Sequence, residues 1–389
     1  MGNDRFAGAS LPSLSASEAT RLAVRAQGFA GLTDATSMLD AVGAVQLDTI
    51  AVLARSHELV GYARLGPVGR ASVEHAYWRT GRAGAFEYPA HAACLLPAAA
   101  WPYFAFRRRE KLAKTSAQLQ ADPVLAEVRA RLADGPVTVT DLGGAKGGPG
   151  WFNPSRVKVL AEWLWGTGEA VCTQRQGFKR VYDLPHRVLP GQVLRADPDD
   201  DACHDYLVHA AVRAMGVATR HDIADYYWLR LRAVDRALQR SDLVAVRVEG
   251  WDDVAWTQAA SLEQAAPPCP RTTLLSPFDS LIWTRDRMRR LFGVVVLLEA
   301  YRPKHERVNG YFAMPVLSGE RIIGRVDPAR EGNTLVLHQV ALEPPAGAQQ
   351  VGRLAEAVQE AAQWVGCTAV AVGRAEPAQL ARQLTRALG

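Results

Sequence analysis

Residues 124–184 read VLAEVRARLADGPVTVTDLGGAKGGPGWFNPSRVKVLAEWLWGTGEAVCTQRQGFKRVYDL. VLAEVRARLADG has helical spacing of apolar residues and stops at Gly135. Thr138 and Asp141 open a second, short helix, and GGAKGGPGW is a loop. Asn153 and Pro154 then read as an N-cap and an N1 proline for a third helix, SRVKVLAEWLWGTG, stopped by Gly166 and Gly168. EAVCTQRQGFKRVYDL alternates around Gln176-Gly177, the pattern of a β-hairpin. Helix, helix, helix and hairpin in this order make a winged helix; any other small α+β domain is the alternative reading.

The order recurs downstream. His204 to Met215 is a helix, Thr219 to Asp222 opens a second, Leu229 to Gln239 forms a third, and LVAVRVEGWDDVAW is a hairpin turning at Gly250. Upstream, SASEATRLAVRAQ (15–27) is a helix capped by Ser15 with Glu18 three residues on. Thr33 to Val42 is a second, VQLDTI (45–50) starts extended, and a third runs through VLARSHELVGYARLG. After a proline-rich linker, QAAPPCPRTT (264–273), come a short helix (Thr284 to Leu291) and the strands VVVLLEAYRP, GYFAMPVL, ERIIGRVD and TLVLHQVAL. Helices near 347–365 and 376–388 flank a strand at TAVAVG. The fold class expected is α+β: winged-helix units over 10–120, 121–200 and 201–265, followed by a β-rich C-terminal region over 266–389.

Composition bounds the partner. The chain has 389 residues, 48% hydrophobic and 22% charged, which is ordinary for a globular protein. A net charge of +5 favours a polyanionic partner over a cationic one, although an arginine-rich proteome would leave the same excess. The five cysteines are far apart with no Cys-x-x-Cys pair, which fits reduced, buried thiols. The N-terminus lacks a secretory signal and no run is long and apolar enough to span a membrane, so the expected location is cytoplasmic, nucleoid-associated when bound to DNA.

Charge clusters where rings also occur. Arg107, Arg108 and Arg109 follow Trp101, Tyr103, Phe104 and Phe106, a mixture suited to phosphates and bases, or to a solvated helix face with an apolar back. Arg285, Arg287, Arg289 and Arg290 form a second cluster. Arg302, Lys304, His305 and Arg307 form a third, placed by the strand pattern at a hairpin tip. Arg175, Lys179 and Arg180 stand where a wing would touch a DNA backbone. There is no His-Glu-x-x-His, phosphate loop, dinucleotide fingerprint or nucleophile elbow; Cys203, His204 and His209 lack a fourth ligand at helical spacing. Neither a cofactor nor a metal is expected. Gln46-Leu47-Asp48 puts an amide and a carboxylate on one face of an extended segment, where they could hold and deprotonate a water; a polar strand end with Asp48 capping the next helix fits the same residues.

The chain resembles the crosslink-repair DNA glycosylases of the YcaQ and AlkZ type, bacterial proteins with tandem winged helices. VQLDTIAVLARSHELVGYARLG (45–66), FEYPAHAACLLP (86–97), LLSPFDSLIWTRDRMRRLF (274–292) and EAYRPKHERVNGYFAMPVLSGERIIGRVDP (299–328) carry the resemblance, in order along most of the chain. It implies that Gln46 and Asp48 are the catalytic Gln-x-Asp pair of the broad-substrate branch. The implied substrate is double-stranded DNA carrying N7-alkylguanine and related cationic purines, interstrand crosslinks included. The implied reaction is monofunctional base release by a monomer. The sequence departs from the family pattern at Pro89, where a tryptophan is more usual, and at Ala92, where an acidic residue is often seen. The expected DNA-contacting set is Arg55, His57, Arg107, Arg108, Arg175, Lys179, Arg180, Arg285, Arg302, Lys304, His305 and Arg307. The alternatives are a non-catalytic winged-helix regulator and an inactive damage-binding homologue.

Overall fold

Helix Ser56–Leu65 is buried from Ser56 through Arg64, and three apolar clusters of the fold meet on it. Leu59 and Tyr62 pack into the apolar cluster of the C-terminal region, Val60 into that of residues 35–95, and Ala63 against Leu275 and Leu281. A helix packed on all sides must find partners inside for its polar residues as well as its apolar ones. It carries two buried charges: Glu58, paired with Arg70 at 2.6 Å, and Arg64, which donates to both carboxylate oxygens of Asp279 at 2.7 and 2.9 Å and to the Gln27 carbonyl at 2.6 Å. Two fully buried charges are tolerated only when paired and hydrogen-bonded in this way.

This computed structural model describes residues 11–29, 31–78, 84–144, 155–263, 269 and 271–389. It is a mixed α+β fold. Helix Ala16–Ala26 carries the expected capping box of Ser15 and Glu18, and Ala35–Val42 follows, capped by Asp34. Six strands form one sheet in the order Val45–Gln46, Ala92–Pro97, Ala85–Ala90, Val171–Gln176, Lys179–Asp183, Val137–Thr138. The pair Glu87 and Cys172 joins the hairpin of residues 85–97 to that of residues 171–183. The sheet therefore runs across the boundary expected at residue 120. A second sheet pairs Ser13–Leu14 in parallel with Val244–Val248, which continues to Ala255–Thr257 and Val217–Thr219. The N-terminal strand thus completes a sheet whose other strands lie beyond residue 200. The C-terminal region is a five-stranded sheet, Thr272–Leu274, Met314–Ser318, Arg321–Glu331, Thr334–Leu342 and Ala369–Glu376, with helices Ala348–Trp364 and Gln379–Ala387 against it.

Local patterning predicted most elements; the exceptions have identifiable causes. The segment 294–299 is not a strand: VVVLLE finds no neighbour to pair with and runs as irregular chain. Residues 139–143 form hydrogen-bonded turns rather than a helix, although Thr138 and Asp141 bond as at a helix start. Helix Arg156–Thr167 is capped by Ser155, while Asn153, Pro154 and most of the glycine-rich loop lie outside the described residues, as do 264–268 and residue 270 of the linker. The helix expected from Val52 begins only at Ser56. All five cysteines are free and buried. Among the described residues no helix is long and apolar enough to cross a membrane.

Candidate active site

Helix Ala35–Val42 ends at Gly43, which has a φ of 67°; a Cβ there would lie 2.5 Å from the Tyr227 hydroxyl, so no side chain fits. The chain then joins the sheet edge. Gln46 pairs with Cys94, and the Leu47 amide donates to the Ala93 carbonyl at 2.8 Å. Val45 and Leu47 are buried, whereas Gln46 and Asp48 are half-exposed, the alternation expected of an extended segment. The Asp48 carboxylate accepts from the Ile50 amide at 2.8 Å, closing a tight turn. No helix starts there, so Asp48 is not a helix cap; the Ser56 hydroxyl instead bonds the Gln46 carbonyl, tying the next helix to the strand end. Burial pushes the Asp48 pKa up, against the opposing pull of the Ile50 and Thr49 amides.

Asp48 lines a cleft of about 380 Å³ together with Thr49, Thr140, Lys158, Phe178 and Lys179. Its far wall is the hairpin of residues 171–183. At the turn, Phe178 (φ 64°) lies under the Arg55 guanidinium at 3.7 Å and the Arg175 guanidinium at 4.2 Å, with the His57 ring 6.1 Å away. The hairpin tip therefore leans on the start of the central helix. Its arginines also turn inward. Arg175 bonds both oxygens of Glu87 at 2.9 and 2.8 Å, and Arg180 bonds Glu87 as well. Glu87 is fully buried, and two guanidiniums offset the cost of its desolvation. Of the three wing residues expected on DNA, only Lys179 is exposed, its amine 3.2 Å from the Thr140 hydroxyl.

The segment 299–312 borders the other side. Ile50 and Val52, just past Asp48, pack in the same cluster as Leu298 and Phe312. The segment is an irregular loop with one short turn, not a hairpin tip, and buried carboxylates organise it. Glu299 accepts from the amides of Val308 and Asn309 at 2.9 and 2.6 Å and from Arg302 at 3.1 Å. Asp327 accepts from the amides of Tyr311 and Phe312 at 3.0 and 2.7 Å. What faces outward is mostly basic and apolar: Arg302, Lys304, His305, Tyr301 (80% exposed) and Val308 (68%), with one acid, Glu306, 3.5 Å from His305, and Arg307 over the Tyr311 ring at 4.9 Å. Partial burial, the Asp48 charge and Tyr311 raise the Tyr301 phenol pKa, in that order.

The other expected contacts divide. Arg285 is exposed. His57 is fully buried with its Nε2 2.6 Å from Glu74, which removes it from a surface role. Arg107 donates to the carbonyls of Pro89, Tyr227 and Trp228. Arg108 lies on the Trp101 ring at 4.2 Å, its pKa pushed down to about 10 by burial. These two arginines thus brace the interior, because helix Ala105–Ala113 packs that face inward. Glu87, Phe178 and Tyr301 were not singled out from the sequence. Phe178 had a signal, its place beside Gly177 in the predicted turn; a buried glutamate in a strand leaves none.

A family model described as DNA glycosylase AlkZ-like matches residues 39–364. The fold is similar to that of the Streptomyces sahachiroi DNA glycosylase AlkZ, with a TM-score of 0.62 at 19% sequence identity, over 92% of this chain and 100% of that one.

Proposed function

The chain belongs to the AlkZ-like DNA glycosylase family, and from that premise we propose that it hydrolyses the N-glycosidic bond of cationic alkylpurines of the N7-alkylguanine type in duplex DNA, crosslinked bases included. The observation that carries the reading is Asp48, a half-buried carboxylate with a raised pKa at the rim of an open cleft.

An N7-alkylated guanine is positively charged and leaves without strong protonation. The reaction then needs a base for water and negative charge near the developing oxocarbenium ion, and one carboxylate supplies both. A raised pKa makes the ionised Asp48 a better proton acceptor than an ordinary aspartate. Gln46, on the same face, orients the water. A base tied to the opposite strand cannot leave the stack fully, so it suits a shallow site between hairpin and loop better than a closed pocket. Base release without strand cleavage separates this chemistry from an amine-based lyase using Lys158 or Lys179. The winged-helix units and the exposed basic residues of 302–307 serve as the duplex-holding surface. A cytoplasmic monomer fits the role.

The test is incubation with duplex containing N7-methylguanine or a nitrogen-mustard crosslink, reading free base and alkali-labile sites. Asp48→Asn keeps the shape and the bond to the Ile50 amide. It should lower excision roughly a hundredfold or more while DNA binding persists, and Gln46→Ala should cost less. A well-folded Asp48→Asn variant with full activity overturns the assignment. A protein that binds DNA but releases no base from either substrate is the non-catalytic alternative.

A further inference from the structure

Trp228 stands in the turn between helices Arg220–Tyr226 and Leu231–Arg240, 56% exposed and at a φ of +49°. Positive φ is rare for a bulky residue, and an indole left more than half exposed forgoes much of its hydrophobic gain, so this position is unfavourable on two independent counts. The fold nevertheless enforces it. The Trp228 amide donates to the Asp225 carbonyl at 3.2 Å and the Leu229 amide to the Ala224 carbonyl at 2.7 Å. Arg107, whose pKa burial lowers, donates to the carbonyls of both Tyr227 and Trp228 and to that of Pro89 across the turn. His91, at the tip of the hairpin of residues 85–97, stacks on Trp283 at 4.3 Å and stands 5.7 Å from the Trp228 ring, its Nδ1 held by the Asp225 carbonyl at 3.1 Å.

The indole floors a pocket of about 420 Å³ lined also by Phe106, His204, Arg230, Arg232 and Arg236. Two acids reach it, but Glu110 is engaged by Arg230 at 2.5 Å and Asp200 by Arg109 at 2.7 Å; Arg232 is exposed, and the exposed Arg236 makes a 3.7 Å pair with Asp201, which Arg240 shares. An aromatic plane beside outward guanidiniums has the chemistry of a nucleotide site: stacking for the base, charge for its phosphates. The hairpin of residues 85–97 links this turn to the Asp48 segment: His91 stands beside Trp228, and Ala93, two residues on, accepts from the Leu47 amide next to Asp48. We propose that it is a second DNA site, which takes the unpaired base created when its partner is damaged or excised: the base stacks on Trp228 and the adjoining phosphates meet Arg232 and Arg236. This deepens the reading of the chain as a damaged-DNA enzyme and rests on DNA being its ligand.

The experiment compares two duplexes bound by the full chain. One carries 2-aminopurine opposite a tetrahydrofuran abasic analogue; the other has the same sequence fully paired. The wild type should bind the first more tightly and change its 2-aminopurine fluorescence. Trp228→Ala should lose about tenfold of that preference and the fluorescence change, leaving the paired duplex unaffected, and Trp228→Phe should keep most of both. Trp228→Gly, which suits a positive φ, gives the same expectation should alanine unfold the turn. Unchanged preference in a folded Trp228→Ala or Trp228→Gly variant, or an equal loss on both duplexes, overturns the proposal. No readout depends on base release, so a protein inactive on N7-methylguanine that still shows the Trp228-dependent preference separates the two readings.

Discussion

The hairpin of residues 171–183 and the loop of residues 299–312 both border Asp48, and in sequence both are arginine-rich turns. In space they are opposites. The hairpin surrounds a buried acid, Glu87, and its arginines are drawn inward to it. The loop buries Glu299 and Asp327, but these are occupied largely by backbone amides, so most of the loop's cations stay outside. A count of basic residues therefore does not locate a DNA surface. What decides is whether the nearest buried carboxylate is satisfied by side-chain cations or by the chain's own N–H groups.

The largest effect should come from removing that carboxylate. Glu87→Gln keeps the volume but leaves Arg175 and Arg180 in place without their counter-charge. Breaking a buried pair costs about 3–5 kcal/mol. Both guanidiniums retain some solvent contact, 10% and 21% exposed, which puts the expectation near the lower end of that range. Chemical denaturation would read it. A loss close to zero would mean that the hairpin arginines do not depend on Glu87, and the contrast with the loop would collapse.

The next effect concerns binding. Alanine at Arg302, Lys304 and Arg307 together should weaken undamaged duplex by roughly tenfold or more at low salt. It should also flatten the salt dependence, by up to about 0.9 in log–log slope for each phosphate left without its cation. Alanine at Arg175 and Arg180 should lower stability and leave that slope unchanged. Equal slopes for both variants would show that the hairpin also faces DNA.

How much of this was legible follows from the range of each signal. Helices, caps and hairpins depend on neighbours a few residues apart, so Ser15 with Glu18 and the turn at Gln176-Gly177 could be read directly. The shared face of Gln46 and Asp48 needed only the two-residue repeat of an extended chain. Strand pairing depends on partners far away, and VVVLLE looked like a strand because its composition says nothing about an available edge. Burial of a charge is just as non-local: Glu87 sits in FEYPA, 88 residues from Arg175, and nothing near it marks the ion pair. Trp228 had a visible sign, the aromatic-basic run YYWLRLR at 226–232, but its outward orientation comes from Arg107, whose own run had looked like a DNA contact.

Asp48 gives the smallest effect on stability and the one whose sign is most informative. Hairpin and loop together strip water from it, and its pKa is raised above the usual 3.8. A carboxyl that holds its proton more tightly when folded than when unfolded loses stability as pH rises through the folded value. Above that value the ionised Asp48 is therefore slightly destabilising, and Asp48→Asn, which still accepts from the Ile50 amide, should raise Tm a little there. The gain should stay under about 1 kcal/mol, because the group is only half-buried and solvent screens it, and it should vanish in acid, where Asp48 is already protonated. Under the proposed mechanism the same group would set the acid limb of kcat/KM: activity should climb with pH through a pKa above the ordinary aspartate value, since only the ionised form accepts a proton. Thermal melts of both proteins across the acid range, with a pH profile of base release by the wild type, would read these effects. If Asp48→Asn melted lower than the wild type at neutral pH, the carboxylate would be a stabilising turn partner, and the desolvation that makes it a base would be absent.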